Sequence, residues 1–410
     1  MPRWMKHRTA RWMTTEGLGA SSISYLINDT FTTSLAAGAV NGTAAEPGPG
    51  TRTVVDTNSK LSIAADALSI ATGGSGSGNP GLYYDLVTRA AGRMLIAQAV
   101  STNETFAIGF DPNQLTAINH AVRWAGSSRT WQVYVNGLGL SVGNWTIGAT
   151  YNIAVVMRAT GAYFFAKIGG NWQLLYPSGA GSQDCYPAIA VESATGVLTV
   201  DYIRVPSARW LPPPLVSDGF SVWGSSDGLG HAEGVAGGLG SGGNGMAWTS
   251  AVGTWGASGG VAAASALSAG RAIATVDCGK ADLVISANMV VPTATLAIVV
   301  RWTDESNFIM LRRTPTNLQL VKVVAGATTT VSDNASTYVA GAEVRLVCDG
   351  TKFRMFYNNA AVSTEQTISD AAVQSATVVG LRSGDVACTA DNFVAYARGS
   401  GGEYSILDSY

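Results

Sequence analysis

The chain has 410 residues, enough for two or three domains, and its 47% hydrophobic content excludes wholesale disorder. Only 13% of the residues are charged and 49 are Gly, which favours strands and tight turns over helices, whose exposed faces usually carry many Glu and Lys. The net charge of −2 excludes a long-range field that would attract nucleic acid, and no stretch reaches the roughly 18 uninterrupted apolar residues of a membrane-spanning helix.

A basic N-terminal arm is predicted over residues 1–27. It contains the sequence Arg-Trp-Met twice, at Arg3, Trp4, Met5, Arg11, Trp12 and Met13. A spacing of eight places both Trp-Met pairs on roughly one side of a helix or of an extended strand. We interpret the arm as a docking peptide that inserts its aromatic side chains into a partner subunit; the alternative is a frayed terminus. It lacks the continuous apolar region of a secretory signal peptide, so we expect no Sec-type export.

The strongest pattern in the chain is an internal repeat. Asp29 opens one copy and Asp218 opens the other, at an offset of 218 − 29 = 189. Near the far ends Asp201 corresponds to Asp391, at an offset of 391 − 201 = 190. Because the offset is maintained from end to end, the repeat predicts two domains with one fold.

Within each copy the apolar residues mostly alternate with polar ones, as in half-buried strands. Val344, Leu346 and Cys348 lie on one face of such a strand, and Gly350 follows as the turn of a hairpin. The first copy repeats this pattern around Gly161. Many short antiparallel strands in about 180 residues predict two packed sheets in each copy.

We therefore predict an all-β protein with two tandem antiparallel β-sandwich domains. The predicted segments are the arm at 1–27, the first sandwich at 28–206, a Pro-rich linker at 207–217, the second sandwich at 218–398 and a C-terminal tail at 399–410. Because proline fixes φ and removes backbone donors, we expect the linker to hold the two sandwiches at a set angle.

Three features of the second copy suggest a family. They are the opening Asp218 and Phe220, the central segment 299–308, and the closing triplet of Asp391, Asn392 and Phe393. In these features the second copy, and more loosely the first, resembles concanavalin A-like, laminin G-type jelly rolls. The resemblance implies a fold that serves lectins, carbohydrate-binding modules, glycosidases, and virion and adhesion proteins.

The resemblance also implies a structural Ca²⁺ near the paired termini of each domain. The candidate ligands are Asp29 with Asp201 in the first copy and Asp218 with Asp391 in the second, because carboxylate oxygens are preferred Ca²⁺ ligands. The alternative is that each Asp stabilises a turn through its own backbone.

Glycan binding has four candidate residues among the eleven tryptophans, each beside Gly or Asn in a predicted loop: Trp145, Trp172, Trp223 and Trp255. Aromatic rings stack on sugar rings when one face is exposed. The alternative for each is packing in a core or against another subunit.

No catalytic cluster is recognisable in the sequence. Retaining glycosidases need two carboxyl groups about 5 Å apart, whereas the neighbouring Asp304 and Glu305 would face opposite ways in a strand or lie in a turn. His7, His120 and His231 are too scattered to indicate a zinc site or a Ser-His-Asp relay. The four cysteines lack C-x-x-C spacing, so we expect small buried hydrophobes. We expect a protein that is not an enzyme.

These patterns favour a virion structural or adhesion protein, a head-decoration, fibre or tail subunit of a bacteriophage. Its expected partners are other virion proteins or copies of itself, bound through the arm, and host surface glycans. The alternative is a bacterial cell-surface or secreted carbohydrate-binding protein, and a weaker alternative is a concanavalin-like glycosidase.

Overall fold

The computed structural model describes residues 23–56, 59–73, 80–102, 105–112, 120–125, 130–135, 138–191, 195–220, 247–399 and 401–410. Regular structure in these ranges is almost entirely β, with two short 3₁₀ helices, η1 (Ala371–Val373) and η2 (Ser405–Ser409). Neither helix is long and apolar enough to cross a membrane. The predicted all-β class is confirmed. The arm residues Arg3, Trp4, Met5, Arg11, Trp12 and Met13 lie outside the described ranges.

The strands are numbered in chain order. Those of the first half are β1 (Tyr25–Asp29), β2 (Thr53–Val55), β3 (Leu61–Ala64), β4 (Ala67–Gly73), β5 (Gly81–Tyr83), β6 (Met94–Ser101), β7 (Phe106–Asp111), β8 (His120–Ala125), β9 (Thr130–Val135), β10 (Leu138–Asn144), β11 (Thr150–Met157), β12 (Ala162–Ile168), β13 (Asn171–Pro177), β14 (Tyr186–Val191) and β15 (Thr195–Pro206). Those of the second half are β16 (Val216–Asp218), β17 (Thr249–Val252), β18 (Thr254–Ser258), β19 (Val261–Ala266), β20 (Ala272–Asp277), β21 (Leu283–Val290), β22 (Leu296–Asp304), β23 (Asn307–Arg313), β24 (Asn317–Val324), β25 (Ala327–Ala335), β26 (Ala342–Asp349), β27 (Lys352–Tyr357), β28 (Ala360–Ala361), β29 (Gln366–Thr367), β30 (Val378–Ser383) and β31 (Thr389–Ala397).

In the described ranges these strands form four antiparallel sheets. Sheet 1 has the order β13-β12-β11-β6-β15-β4-β3 with β1 on β15, and sheet 2 has the order β10-β9-β8-β7-β14-β5-β2. Sheet 3 has the order β28-β27-β26-β21-β31-β19-β18 with β16 on β31 and β29 on β27, and sheet 4 has the order β25-β24-β23-β22-β30-β20-β17. Sheets 3 and 4 repeat the order of sheets 1 and 2 strand for strand, so both halves of the chain have one topology.

The strand pairing reproduces the offset of the sequence repeat. Asp29 in β1 lies opposite Ile203 in β15, and Asp218 in β16 lies opposite Phe393 in β31. The members of these two pairs are related by offsets of 218 − 29 = 189 and 393 − 203 = 190. The predicted hairpin joins β26 to β27, and Gly350 at its turn has φ of 53°, a conformation that glycine adopts without strain.

The two sandwiches pack against each other through sheets 1 and 3. The ring of Phe356 in β27 lies 5.1 Å from that of Tyr176 in β13, and the hydroxyl oxygens of Tyr163 and Tyr396 are 2.8 Å apart. Val347 in β26 belongs to the same apolar cluster as the core of the first sandwich. The alternation in β26 predicted one buried face, but both faces are buried, because the first sandwich covers the second face.

The linker and the C-terminal tail reinforce this contact. The backbone N–H of Trp210 donates to Gly92 O at 2.8 Å in the first sandwich. In the tail, Asp408 accepts hydrogen bonds from Lys167 Nζ at 2.7 Å and Trp172 Nε1 at 2.8 Å. The chain segments on both sides of the second sandwich therefore bind to the first.

Candidate functional site

The tryptophans predicted to stack on glycans are buried wherever the structure describes them. Trp145 is 5% exposed, Trp172 is 2% exposed and Trp255 is fully buried. Trp145 and Trp172 belong to the first core and Trp255 to the second. Their expected exposure is therefore wrong, because each ring fills space between packed elements. Trp223 lies outside the described residues.

Asp29 forms a buried ion pair instead of a cation site. Arg52 donates to it through Nε at 2.6 Å and Nη2 at 2.7 Å, and Tyr84 donates through its hydroxyl at 2.8 Å. The backbone N–H of Phe31 is a further donor at 3.1 Å. Both carboxylate oxygens are thus occupied, and Arg52 supplies the positive charge that a Ca²⁺ ion would bring. This geometry does not fit Ca²⁺.

In the second copy Asp218 holds the equivalent turn. Its carboxylate accepts hydrogen bonds from the backbone N–H of Phe220 at 2.7 Å and from Trp248 Nε1 at 2.8 Å. Burial raises the pKa of Asp201 and of Asp391. Within the described residues, no group of three or more His, Cys, Asp or Glu could hold a metal ion. The turn-stabilising alternative agrees with these contacts.

The other reactive residue types serve the fold. The predicted burial of the cysteines is confirmed, and burial raises the pKa of Cys278 to about 11 and that of Cys348 to about 12, so both are protonated thiols at neutral pH. Asp304 and Glu305 lie at the β22–β23 turn, where Asp304 accepts from the backbone N–H of Ser306 at 2.7 Å.

A cleft of about 420 Å³ lies between the two sandwiches, on the outer face of sheet 3. We call it the inter-sandwich cleft. Its floor consists of side chains from β21, β26 and β31: Ser286, Asn288, Glu343, Arg345, Asn392 and Tyr396. Arg158 of the first sandwich and Asn358 of the β27–β28 turn add further polar groups to its walls. The cleft therefore offers amides, hydroxyls and charges in one concave surface.

An ion pair lies at the floor of this cleft. Arg345 is 2% exposed and donates through Nη2 to both carboxylate oxygens of Glu343, at 2.7 and 2.6 Å. Its guanidinium carbon lies 4.1 Å from the centre of the Tyr176 ring. Burial alone would lower the pKa of Arg345, but Glu343 and Tyr176 outweigh it and raise this pKa. Arg345 is therefore charged and held rigidly between the two sandwiches.

Neutral hydrogen-bonding groups surround this pair. Asn288 donates through Nδ2 to Gly341 O at 2.9 Å, which fixes the orientation of its amide. Of the three charged residues in the lining, Arg158 and Arg345 are positive and Glu343 is negative, so the cleft has a formal charge of 2 − 1 = +1. Fixed amides beside a small net charge suit a polar, uncharged or weakly acidic ligand.

A second cleft, of about 430 Å³, lies where β9 and β10 approach β27 and β28. Its charges are paired within the protein, since Arg354 Nη2 lies 2.7 Å from Glu365 Oε2. Its other polar lining residues are the hydroxyls of Thr130, Ser141, Ser363 and Thr364 and the amide of Asn144.

The sequence reasoning missed the inter-sandwich cleft. Its floor residues, such as Asn288 and Arg345, alternate along their strands with the residues that face the core. An alternation of this kind predicts that such residues are exposed to solvent. The only sequence signal was their polarity, which an ordinary exposed face shares. The cleft arises because the first sandwich supplies its opposite wall.

No protein-family model and no curated protein matches the chain. Among solved structures, the chain is similar to the carbohydrate binding module CBM66 from Bacillus subtilis, at 14% identity and a TM-score of 0.33, over 37% of this chain and 95% of that one. It is also similar to a beta-1,3-glucanase from Mycobacterium marinum, at 13% identity and a TM-score of 0.31, over 45% and 99% of the two chains. The VIP36 exoplasmic/lumenal domain, in its Ca²⁺/Man3GlcNAc-bound form, shares 8% identity at a TM-score of 0.31, over 40% and 86%. Likeness at this level assigns neither a ligand nor an activity to the chain.

Proposed function

We propose that this chain is a non-enzymatic adhesion protein that binds a saccharide in the inter-sandwich cleft. The main support is the polar floor of the cleft on sheet 3, where Ser286, Asn288 and Asn392 lie beside the Arg345–Glu343 pair. Sugar hydroxyls both donate and accept hydrogen bonds, so they suit mixed amide, hydroxyl and carboxylate groups. The volume of about 420 Å³ lies within the roughly 300–1,000 Å³ of ligand pockets.

We further propose that the protein acts as a structural subunit of a bacteriophage particle. Support comes from the low charge of the chain and from the rigid union of two sandwiches through Phe356, Tyr176 and the tail, which suits a display unit. Deleting residues 1–22 and measuring incorporation into particles tests this role. Unchanged incorporation contradicts docking through the arm.

A glycan array with a matched pair of variants tests saccharide binding. Asn288→Ala removes one amide from the cleft, and we expect affinity for the best glycan to fall roughly 3- to 10-fold, as for one lost neutral hydrogen bond. Asn334→Ala in β25, another half-buried asparagine with one side-chain donor bond, should leave binding unchanged. Equal binding by both variants, or no binding by the unaltered protein, contradicts the proposal.

The absence of turnover needs its own measurement. Incubation of the protein with the bound oligosaccharide, followed by analysis of reducing ends, should show no cleavage above buffer. Steady release of shorter products would replace the adhesion proposal with the glycosidase alternative.

A further inference from the structure

The inter-sandwich cleft contains an arginine that has no acidic partner. Arg158 follows β11 directly, is half-buried and lines the cleft from the side of the first sandwich. Its Nη1 donates to the backbone carbonyl of Ser178 at 2.9 Å, and its guanidinium carbon lies 5.0 Å from the centre of the Tyr163 ring. A carbonyl and an aromatic ring orient a guanidinium without neutralising it. Within the described residues, Arg158 forms no ion pair.

The other two charges of the lining cancel each other. Glu343 accepts from Arg345 Nη2 at both of its carboxylate oxygens. Asp391 lies outside the lining, and its oxygens accept from the backbone N–H of Asn392 at 2.6 Å and from the amide of the same residue at 3.1 Å. The formal charge of +1 in the lining is therefore the charge of Arg158.

Arg345 adds hydrogen-bond donors at the floor of the cleft. Its Nε and Nη1 are buried and have no acceptor in the part of the chain that the structure describes. Buried donors without acceptors are unfavourable, and a negative charge above the floor would stabilise them more than a neutral group would. Positive potential thus comes from the wall, at Arg158, and from the floor beneath it.

Amides that a ligand can reach lie in the same cleft. Asn358 and Asn392 are exposed, Asn288 is half-buried, and all three belong to the lining. The side chain of Asn358 makes no hydrogen bond to any described residue, so its amide nitrogen can donate to a ligand. Arg158 and these amides form the accessible polar face of the cleft.

We propose that the saccharide bound in the inter-sandwich cleft carries an acidic group that pairs with Arg158. This inference rests on the function proposed above and narrows the ligand class from saccharides to acidic saccharides. A carboxylate or sulfate accepts charge-assisted hydrogen bonds from a guanidinium, which are roughly twice as strong as neutral ones. The hydroxyls of the same saccharide bind the amides of Asn288, Asn358 and Asn392.

A glycan array on which each acidic oligosaccharide stands beside its neutral form tests this inference. The pairs are uronates with their methyl esters, sulfated with desulfated chains, and sialylated with desialylated chains. We expect the best-bound glycan to be acidic and its neutral form to bind roughly tenfold more weakly. The kind of pair with the largest ratio of affinities identifies the acidic group.

Variants of Arg158 separate its charge from its hydrogen bond. Arg158→Gln removes the charge and retains a donor for Ser178, so the acidic glycan should bind roughly tenfold more weakly while the neutral form binds as before. Arg158→Lys keeps the charge, and the acidic form should remain the better ligand. Arg312→Gln makes the same change at a half-buried arginine of β23, outside the lining, and should leave both affinities unchanged.

The outcomes separate this inference from the function on which it rests. Equal binding of acidic and neutral forms, weakened alike by Asn288→Ala, overturns the inference and leaves saccharide binding in the cleft in place. Equal losses from Arg158→Gln and Arg312→Gln, or equal losses of both glycan forms in Arg158→Gln, also overturn it. The absence of binding by every glycan contradicts the proposed function, and the inference falls with it.

Discussion

The two sandwiches share one topology but stabilise its opening turn by different chemistry. Phe31 and Phe220 both have positive φ, 56° and 48°, and each donates its backbone N–H to the aspartate two positions before it. The first sandwich neutralises that aspartate with Arg52, whereas in the second the indole N–H of Trp248 donates to it. The repeat therefore preserves the backbone geometry, while each copy balances the buried charge separately.

A second difference lies in β8 and its counterpart β23. Phe110 pairs with His120, and Val300, at the repeat offset of 300 − 110 = 190, pairs with Ile309. Both positions are buried, yet only the first holds a titratable group. The first sandwich should consequently be the more sensitive of the two to charge substitution and to acid.

The largest effect should come from Asp29→Ala. Removal of the carboxylate leaves the Arg52 guanidinium buried without its partner, which costs about 3–5 kcal/mol of unfolding free energy. Urea unfolding measures this loss. A loss below about 1 kcal/mol would show that water or another group replaces the carboxylate.

The second-largest effect should be a loss of stability of the first sandwich in acid. Burial, and then Arg89, lower the pKa of His120 to about 4. Between pH 6.5 and 4 the unfolded chain therefore binds a proton that the folded chain does not, so stability falls as pH falls through this window, by about 3 kcal/mol in total. His120→Ile, which copies the second sandwich, should flatten this part of the pH profile. An unchanged slope in the variant assigns the pH dependence to other groups.

Asp218→Ala should cost less than Asp29→Ala. The variant leaves the buried indole N–H of Trp248 and the backbone N–H of Phe220 without their acceptor, for which we expect about 1–3 kcal/mol. Urea unfolding of both variants under one set of conditions compares the contributions of Asp29 and Asp218 directly. Equal losses of unfolding free energy would mean that the Asp29–Arg52 ion pair stabilises the first sandwich no more than the hydrogen bonds of Asp218 stabilise the second.

The smallest effect should come from Asp408→Asn in the tail. Asp408 is 46% exposed in its ion pair with Lys167, and exposed pairs contribute about 1 kcal/mol or less. Thermal unfolding at low salt and at about 1 M salt should show a small difference that salt removes. A large loss would indicate that the tail, more than the sheet contact, joins the two sandwiches.

Much of the fold was predictable because its signals are local. The alternation around Val344, the turn at Gly350 and the repeat offset predicted β-strands, a hairpin and two similar halves, and the structure contains all three. The candidate ligands and glycan contacts were less predictable. Trp172 and Asp29 are residue types of binding sites, but their partners Asp408 and Arg52 are distant in the sequence or unmarked by any pattern.

By itself the sequence determined the class of secondary structure, the repeat and the absence of a recognisable catalytic motif, because these depend on residue type and on spacing along the chain. Only the tertiary structure decided which polar residues lie next to each other. Packing of sheet 1 on sheet 3 turned the solvent face of β26 into the floor of a cleft, and the pairing of β22 with β30 placed Arg382 across Ala297 from Arg312. Such neighbours are created by strand order and sheet packing, which bring together residues that are far apart in the chain.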